Sequence, residues 1–261
     1  MYEFEFSRPT GMTGALAALE SGAQPLSGGM TLLPVLKQRL NMPEALVSLT
    51  AIPELKGVKV EGKLLTIGAA TPHAVVAREA AAHYPALAKL AGGIGDPMVR
   101  NRGTIGGSLA NNDPSACYPS AVLASGATIR TNRRSINADQ FFEGLFTTAL
   151  EEGEIITAVQ FPIPLRAAYV KFDQPASRFA LTGVFVAEYS TGVRVAVTGA
   201  SDNGVFRWTE AEKALSASFT PEALGGLRLD AAGMMRDLHG TPEYRAHLAA
   251  VLCRRAVTAA G

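Results

Sequence analysis

Hydrophobic positions change period several times along the chain, and each change marks a different kind of element. Residues 12–20 form an Ala/Leu run stopped at Gly22, which reads as a short helix. Residues 23–26 follow as a short strand, and residues 31–40 as an amphipathic helix whose Lys37 and Arg39 lie near the end where cations suit the dipole. Residues 45–49 read as another strand. From Gly57 the period falls to two: residues 58–60 and 64–68 flank Glu61-Gly62-Lys63, a hairpin signal. Thr71-Pro72 opens a helix, because proline at the first helical position has no donor to lose. Residues 92–119 are rich in glycine, carry Asp96-Pro97 and Asp113-Pro114, and read as a long loop with short turns. A loop of that length in a compact domain is more often functional than idle. Residues 127–131 and 154–161 then read as strands around a helix near residues 138–143.

Pro162-Ile163-Pro164 is the best linker, which divides the chain into residues 1–164, with subdomains of about 1–56 and 57–164, and residues 165–261. In the second part, residues 169–173, 181–189 and 194–200 have strand composition, with Ser190-Thr191-Gly192 as a turn. Three antiparallel strands cannot bury both faces alone, so helices predicted at 209–216, 221–224, 230–238 and from Pro242 onward must cover one. Along the last helix, Tyr244, Leu248, Val251, Leu252 and Arg255 fall on one stripe.

Composition removes several functions. Lys and Arg total 24 against 23 Asp and Glu, a formal charge of +1 on 261 residues, so phosphate neutralisation of a nucleic acid is disfavoured. The two cysteines, Cys117 and Cys253, and the four histidines form no metal-ligand cluster, so neither structural zinc nor an iron–sulfur cluster is expected on this chain. The N-terminus carries early acids and no apolar run, and the stretch from Gly103 to Ile129 is interrupted by Asn111-Asn112-Asp113-Pro114. No secretory signal or membrane helix is read, and a reducing, cytoplasmic setting is expected.

Two diglycine segments carry the chemistry. Ser27-Gly28-Gly29-Met30-Thr31-Leu32 lies where a strand hands over to a helix, a place where successive amides can turn into an anion-binding concavity. Alone, it reads more readily as a strand–helix turn needing positive φ. The second segment, Arg100-Asn101-Arg102-Gly103-Thr104-Ile105-Gly106-Gly107-Ser108-Leu109-Ala110-Asn111-Asn112-Asp113-Pro114, has too few apolar side chains to be explained by core packing. Two such loops suit a long ligand with a diphosphate and several hydroxyls. Neither is a Rossmann fingerprint or a P-loop.

These two segments, the flank Ile94-Gly95-Asp96-Pro97-Met98-Val99, and matching stretches from Phe6 to Arg255 resemble the flavin-binding medium subunit of molybdenum hydroxylases, the group that includes carbon monoxide dehydrogenase and bacterial xanthine dehydrogenase. The resemblance implies an α+β fold: a two-subdomain FAD-binding domain of the PCMH or vanillyl-alcohol-oxidase type, followed by a small domain with a three-stranded antiparallel sheet and a helical bundle. It implies that Ser27, Gly28, Gly29, Met30, Thr31 and Leu32 hold the diphosphate of FAD, and that Gly103, Thr104, Gly106, Gly107 and Ser108 grip the diphosphate and ribityl region. Ile94, Val99, Ala110, Asn112, Cys117, Ile156 and Lys171 complete the implied cofactor set. Met30, Ser108 and Cys117 depart from the residues common there, Cys117 standing where many members have an aspartate. Lys171 would approach the flavin ring or be a solvated strand lysine, and Arg178 would serve instead or pair with an acid. The histidines lie outside both loops and read as surface or packing residues; Trp208, Phe141, Phe142 and Phe146 read as core.

The implied function is an electron-transfer subunit with FAD on this chain and no catalytic acid or base of its own. Its implied partners are a large molybdopterin subunit and a small subunit with two [2Fe–2S] clusters, arranged as a dimer of heterotrimers, with NAD+, oxygen or a quinone as acceptor. Two alternatives stand beside it: a self-contained FAD oxidoreductase acting on a small molecule, and a non-enzymatic nucleotide-binding assembly module.

Overall fold

A computed structural model describes residues 1–261. The first unit comprises β1 (Glu5–Ser7), α1 (Met12–Glu20), β2 (Gln24–Leu26), α2 (Leu32–Lys37) and β3 (Ala45–Ser48). Its strands are parallel in the order β1-β3-β2, and α1 packs Ala15 and Leu19 against Val47 and Leu49 in a small core. The helix expected to reach residue 40 stops at Lys37 because Arg39 takes a left-handed φ of 59°.

The second unit contains β4 (Val58–Glu61), β5 (Leu64–Gly68), α3 (His73–Glu79), α4 (Pro85–Gly92), α5 (Pro97–Arg100), α6 (Ile105–Asn111), α7 (Tyr118–Ala124), β6 (Thr128–Thr131), β7 (Ser135–Asn137), β8 (Phe142–Gly144), β9 (Thr147–Thr148) and β10 (Ile156–Pro162). Five strands form an antiparallel sheet in the order β4-β5-β10-β6-β7. The segment expected to be a long loop instead holds α5 and α6 and runs into α7. Glycine inside a helix costs about 1 kcal/mol relative to alanine, which hides α6 from a propensity reading. Gly106 is nevertheless required, since a Cβ there would lie 2.6 Å from Ala69 Cβ. The helix expected near residues 138–143 is a single 3₁₀ turn at Ala138–Gln140 followed by β8. Phe141 is buried and Phe142 packs against the core, but Phe146, with a left-handed φ of 54°, is exposed.

The third unit is a four-stranded antiparallel sheet, β11 (Arg166–Asp173), β12 (Ala180–Tyr189), β13 (Gly192–Ser201) and β14 (Gly204–Arg207), with α8 (Thr209–Ala217) and α9 (Pro242–Ala260). One strand more than expected is present. Residues 230–238 are not helical: Gly233 has φ +75°, the Met235 amide donates to Ala200 O at 2.7 Å, and Asp202 N donates to Gly233 O at 3.0 Å, so the segment hems the end of β13. The buried stripe of α9 is Arg245, Leu248, Ala249, Leu252, Cys253, Ala256 and Val257, whereas Tyr244 and Arg255 face solvent. Helices α8 and α9 cover one face of the sheet, and α4 and α7 cover the other. Burial on both faces explains the near-continuous apolar runs of β12 and β13. Tyr169, Phe185, Ala187 and Ala196 share one core with Tyr84, Leu87 and Phe161 of the second unit.

Candidate functional site

The two glycine segments meet. Residues 27–31 link β2 to α2, with Gly29 at φ +75°. Gly28 lies so close to the second segment that a Cβ would fall 2.0 Å from Arg102 O, and only glycine permits this approach. Ser27 Oγ and Thr104 Oγ1 are hydrogen-bonded at 2.8 Å, joining the loops through their side chains. Thr104 also caps α6, its Oγ1 accepting from the Gly107 amide at 3.2 Å. The second loop is fixed from behind by Gly106 N to Ala69 O and His73 N to Gly103 O, both 2.9 Å. By contrast, the amides of Ser27, Gly28, Gly29, Met30, Thr31 and Thr104 donate to no acceptor within the protein. A row of unpaired N–H groups across a close loop–loop contact is an anion-binding arrangement.

Around the loops runs a cleft of about 630 Å³, within the range typical of small-molecule and cofactor sites. Ser27, Gly28, Gly29, Met30, Thr31 and Leu32 line it on one side. Gly103, Thr104, Gly106, Gly107 and Ser108 line another, and Ile94, Val99, Ala110, Cys117 and Ile156 extend the wall. Asn112 and Lys171 are not on it. Asn112 ends α6 at a left-handed φ of 42°, and its Nδ2 donates to Gly144 O at 2.8 Å and Thr147 O at 2.9 Å, which clasps the β8–β9 hairpin. The Lys171 amine is engaged by Gly93 O, Arg178 O and Asp173.

Several lining residues escape a reading of the sequence. His73, expected on the surface or in packing, is buried on the cleft wall behind Gly103, with Nδ1 unpartnered. Burial, reinforced by the Arg100 charge, lowers its pKa from 6.5 to about 4, so the imidazole is neutral near pH 7. Its position one residue after Pro72, at the start of a helix packed under the second loop, was the available signal. Glu154 also lines the cleft, with its side chain buried. Burial opposes its ionisation, but Arg134, the Glu151 amide and the Thr131 hydroxyl outweigh that and hold it at about 2. Nothing local distinguishes Glu154 from its neighbours Glu151 and Glu152. Asp113 is pushed up by burial against the opposing Ser115 amide. Cys117 is pushed up by burial, which outweighs the Lys171 charge, and keeps its thiol proton. Ser177, Arg178 and Phe179 reach the cleft from the β11–β12 turn.

Chemically, the site offers amide donors on one side, apolar and small side chains along its length, and charged groups at its margin. No group of three or more His, Cys, Asp or Glu side chains could hold a metal ion, and no helix is long and apolar enough to cross a membrane. Residues 2–164 match the family described as the FAD binding domain in molybdopterin dehydrogenase. The chain is 33% identical, over 277 aligned positions covering 98% of it and 96% of the relative, to the carbon monoxide dehydrogenase medium chain of Hydrogenophaga pseudoflava. It is 32% identical to the nicotine 6-hydroxylase medium subunit of Paenarthrobacter nicotinovorans, over 94% of this chain and 92% of that one. Its structure superposes with a TM-score of 0.89, at 33% identity and over 99% of this chain and 97% of the other, on carbon monoxide dehydrogenase from Hydrogenophaga pseudoflava in a form lacking the Mo-pyranopterin moiety of its cofactor.

Proposed function

Because the chain belongs to the family of FAD-binding domains in molybdopterin dehydrogenases, and is thereby an FAD-binding oxidoreductase subunit, we propose that it is the electron-relay station of a molybdenum hydroxylase complex. Electrons would arrive from [2Fe–2S] clusters on a small partner subunit, after substrate hydroxylation on a large molybdopterin subunit, and leave to NAD+, oxygen or a quinone. A dimer of heterotrimers in the cytoplasm is the assembly that goes with this reading.

The observation that carries it is the row of unpaired amides at residues 27–31 facing Thr104, locked by the Ser27–Thr104 bond. These groups fit FAD: the amides suit a diphosphate, and the close approach of Gly28 to Arg102 O, which admits no side chain, brings the second glycine loop against them. The flavin, when bound, supplies a ring that takes up and releases electrons. This chain's residues do the rest. The residues at 27–31 and Gly103, Thr104, Gly106, Gly107 and Ser108 bind and orient the nucleotide. Ile94, Val99, Ala110 and Ile156 exclude water from its length, and Cys117 presents a protonated thiol. Neutral His73 supports the second loop through its backbone amide.

Purified chain should carry or take up FAD, read as flavin absorbance and quenching of free-FAD fluorescence, and should contain neither molybdenum nor iron. Co-purified partners should bring both metals. Turnover of a hydroxylase substrate by the isolated chain would overturn the relay, and failure to bind FAD would overturn the site.

A further inference from the structure

The Lys171 ammonium donates to Gly93 O at 2.9 Å, to Arg178 O at 2.6 Å and to Asp173 Oδ1 at 2.9 Å. An ammonium group has three N–H bonds and no acceptor site, so these oxygens saturate it, and the side chain is only 9% exposed. No donor is left for a ligand. The three acceptors belong to the C-terminal end of α4, to β11 itself and to the turn at residues 174–179 that joins β11 to β12. The turn is tied again by its own backbone, with Arg178 N to Gln174 O at 2.8 Å and Gln174 N to Phe179 O at 2.9 Å. Arg178 is held at a left-handed φ of 59°, a conformation that a non-glycine residue keeps only where its surroundings enforce it.

Arg178 is what this fastening positions. Among the residues lining the cleft it is the one Lys or Arg, and its guanidinium takes part in no ion pair. The two carboxylates on the wall are otherwise occupied: Glu154 by Arg134, and Asp113 by the Ser115 amide. An uncompensated cation at the margin of a cleft raises the local concentration of anions.

We propose that Lys171 is a clasp fixing the β11–β12 turn over the cleft, and that Arg178, held there, is the cation that meets the negative charge of the bound dinucleotide. The second half rests on the flavin reading above. It moves the electrostatic role from Lys171, where the resemblance had suggested it, to a residue seven positions later.

The test uses full-length Arg178→Met, Arg178→Lys, Lys171→Met and the Lys171→Met/Arg178→Met pair. FAD and riboflavin affinity are measured by fluorescence quenching at low and high salt, the flavin midpoint potential by spectroelectrochemistry, and amide hydrogen exchange at residues 174–179 without ligand. Arg178→Met should weaken FAD binding roughly two- to fivefold at low salt, as expected of an exposed charge pair. Arg178→Lys should restore most of that loss. High salt should erase it, because screening acts within ~8–10 Å. Exchange in the turn should be unaffected by Arg178→Met and accelerated by Lys171→Met. The double variant should bind FAD no worse than Lys171→Met alone, since the clasp acts through Arg178.

A loss seen for FAD but not for riboflavin identifies the diphosphate as the charge met. A lowered potential identifies the reduced ring. Unchanged affinity and potential in Arg178→Met at low salt would overturn the role of Arg178, and unchanged exchange in Lys171→Met would overturn the clasp. Wild-type chain that binds no FAD overturns the flavin reading, while the exchange experiment still decides on the clasp.

Discussion

Gly28, the first glycine of its pair, and Gly107, the second of its pair, have opposite steric freedom. A methyl at Gly28 would lie 2.0 Å from Arg102 O and 2.8 Å from Gly103 Cα, so the loops must part and the Ser27–Thr104 bond must break. At Gly107 the same methyl meets Thr104 Oγ1 at 3.1 Å and Ser27 Cβ at 3.8 Å, which small shifts relieve. Overpacking of the first kind costs about 1–3 kcal/mol, so Gly28→Ala should weaken FAD binding about tenfold or more, with Gly107→Ala within about threefold. Gly107→Asp should lose FAD because a carboxylate then faces the diphosphate. Titrations with FAD showing equal losses for the two alanine variants would remove the steric distinction. His73 gives a pH signature. Its folded pKa of about 4 lies below 6.5, so between these values the unfolded chain binds a proton that the folded chain refuses. Its contribution is complete above pH 6.5 and is lost as the pH falls toward 4, amounting to about 3 kcal/mol. Glu154, depressed from 4.5 to about 2, loses its contribution in the lower window. Urea unfolding of His73→Gln should show a flatter pH dependence from 6.5 to 4; a slope equal to wild type would mean that His73 is not held neutral.

At the scale of elements, Arg245 shows both how α9 is anchored and why its phase was misread. Its Nη1 donates to Leu181 O and Gly199 O, and its Nη2 to Asp237 Oδ2, all at 2.6 Å, with the side chain 2% exposed. One guanidinium thereby ties α9 to β12, β13 and the segment at residues 230–238. Removing it takes a charged donor from two buried carbonyls, so Arg245→Met should lower unfolding free energy by about 3–5 kcal/mol. Asp237→Asn should cost about 1 kcal/mol or less, because that carboxylate is more than one third exposed. Denaturant midpoints that rank the two the other way would contradict the clamp. A helical period found α9, but starting the stripe at Tyr244 carried it to Arg255 and left Arg245 off it, since the carbonyls that bury Arg245 come from strands far away in sequence. The same limit applies elsewhere. The β4–β5 and β12–β13 hairpins were legible from alternation and turn residues; α6 was not, because it carries two glycines, of which close packing against Ala69 selects Gly106. Both glycine loops were legible because each is contiguous. His73 carried only the weak mark of following Pro72, and Glu154 and the turn at residues 174–179 join the site only through tertiary packing, which local sequence does not show.

At the scale of the molecule, the family match and the cleft do not end together. The match stops at residue 164, but Ser177, Arg178 and Phe179 also line the cleft. Every residue of α7 is buried, and its far side rests on β12, β13 and β14. Thr198 Oγ1 donates to Pro114 O at 3.0 Å and Ala116 O at 2.8 Å, and Gly199 N donates to Pro114 O at 2.8 Å, holding the approach to Cys117 from beneath. Arg194 donates from β13 to Leu123 O. Tyr84 packs edge-on against Phe161 of its own unit and Phe185 of the third, at centroid distances of 6.3 and 6.1 Å. A fragment of residues 1–164 would expose the apolar surface around Tyr84, Leu87 and Phe161 that Tyr169 and Phe185 now cover, on the order of 3–6 kcal/mol if an area equal to two large side chains is uncovered. A domain's whole stability is about 5–15 kcal/mol, so the loss is enough to unfold α7 and release the wall that bears Cys117. The full chain should therefore unfold in one transition seen alike by circular dichroism and by release of bound FAD, while the fragment should be partly unfolded and bind FAD at least about tenfold more weakly. A fragment that folds and holds FAD as tightly as the full chain would show that the cleft belongs to the first 164 residues alone, and that the four-stranded sheet serves some other surface.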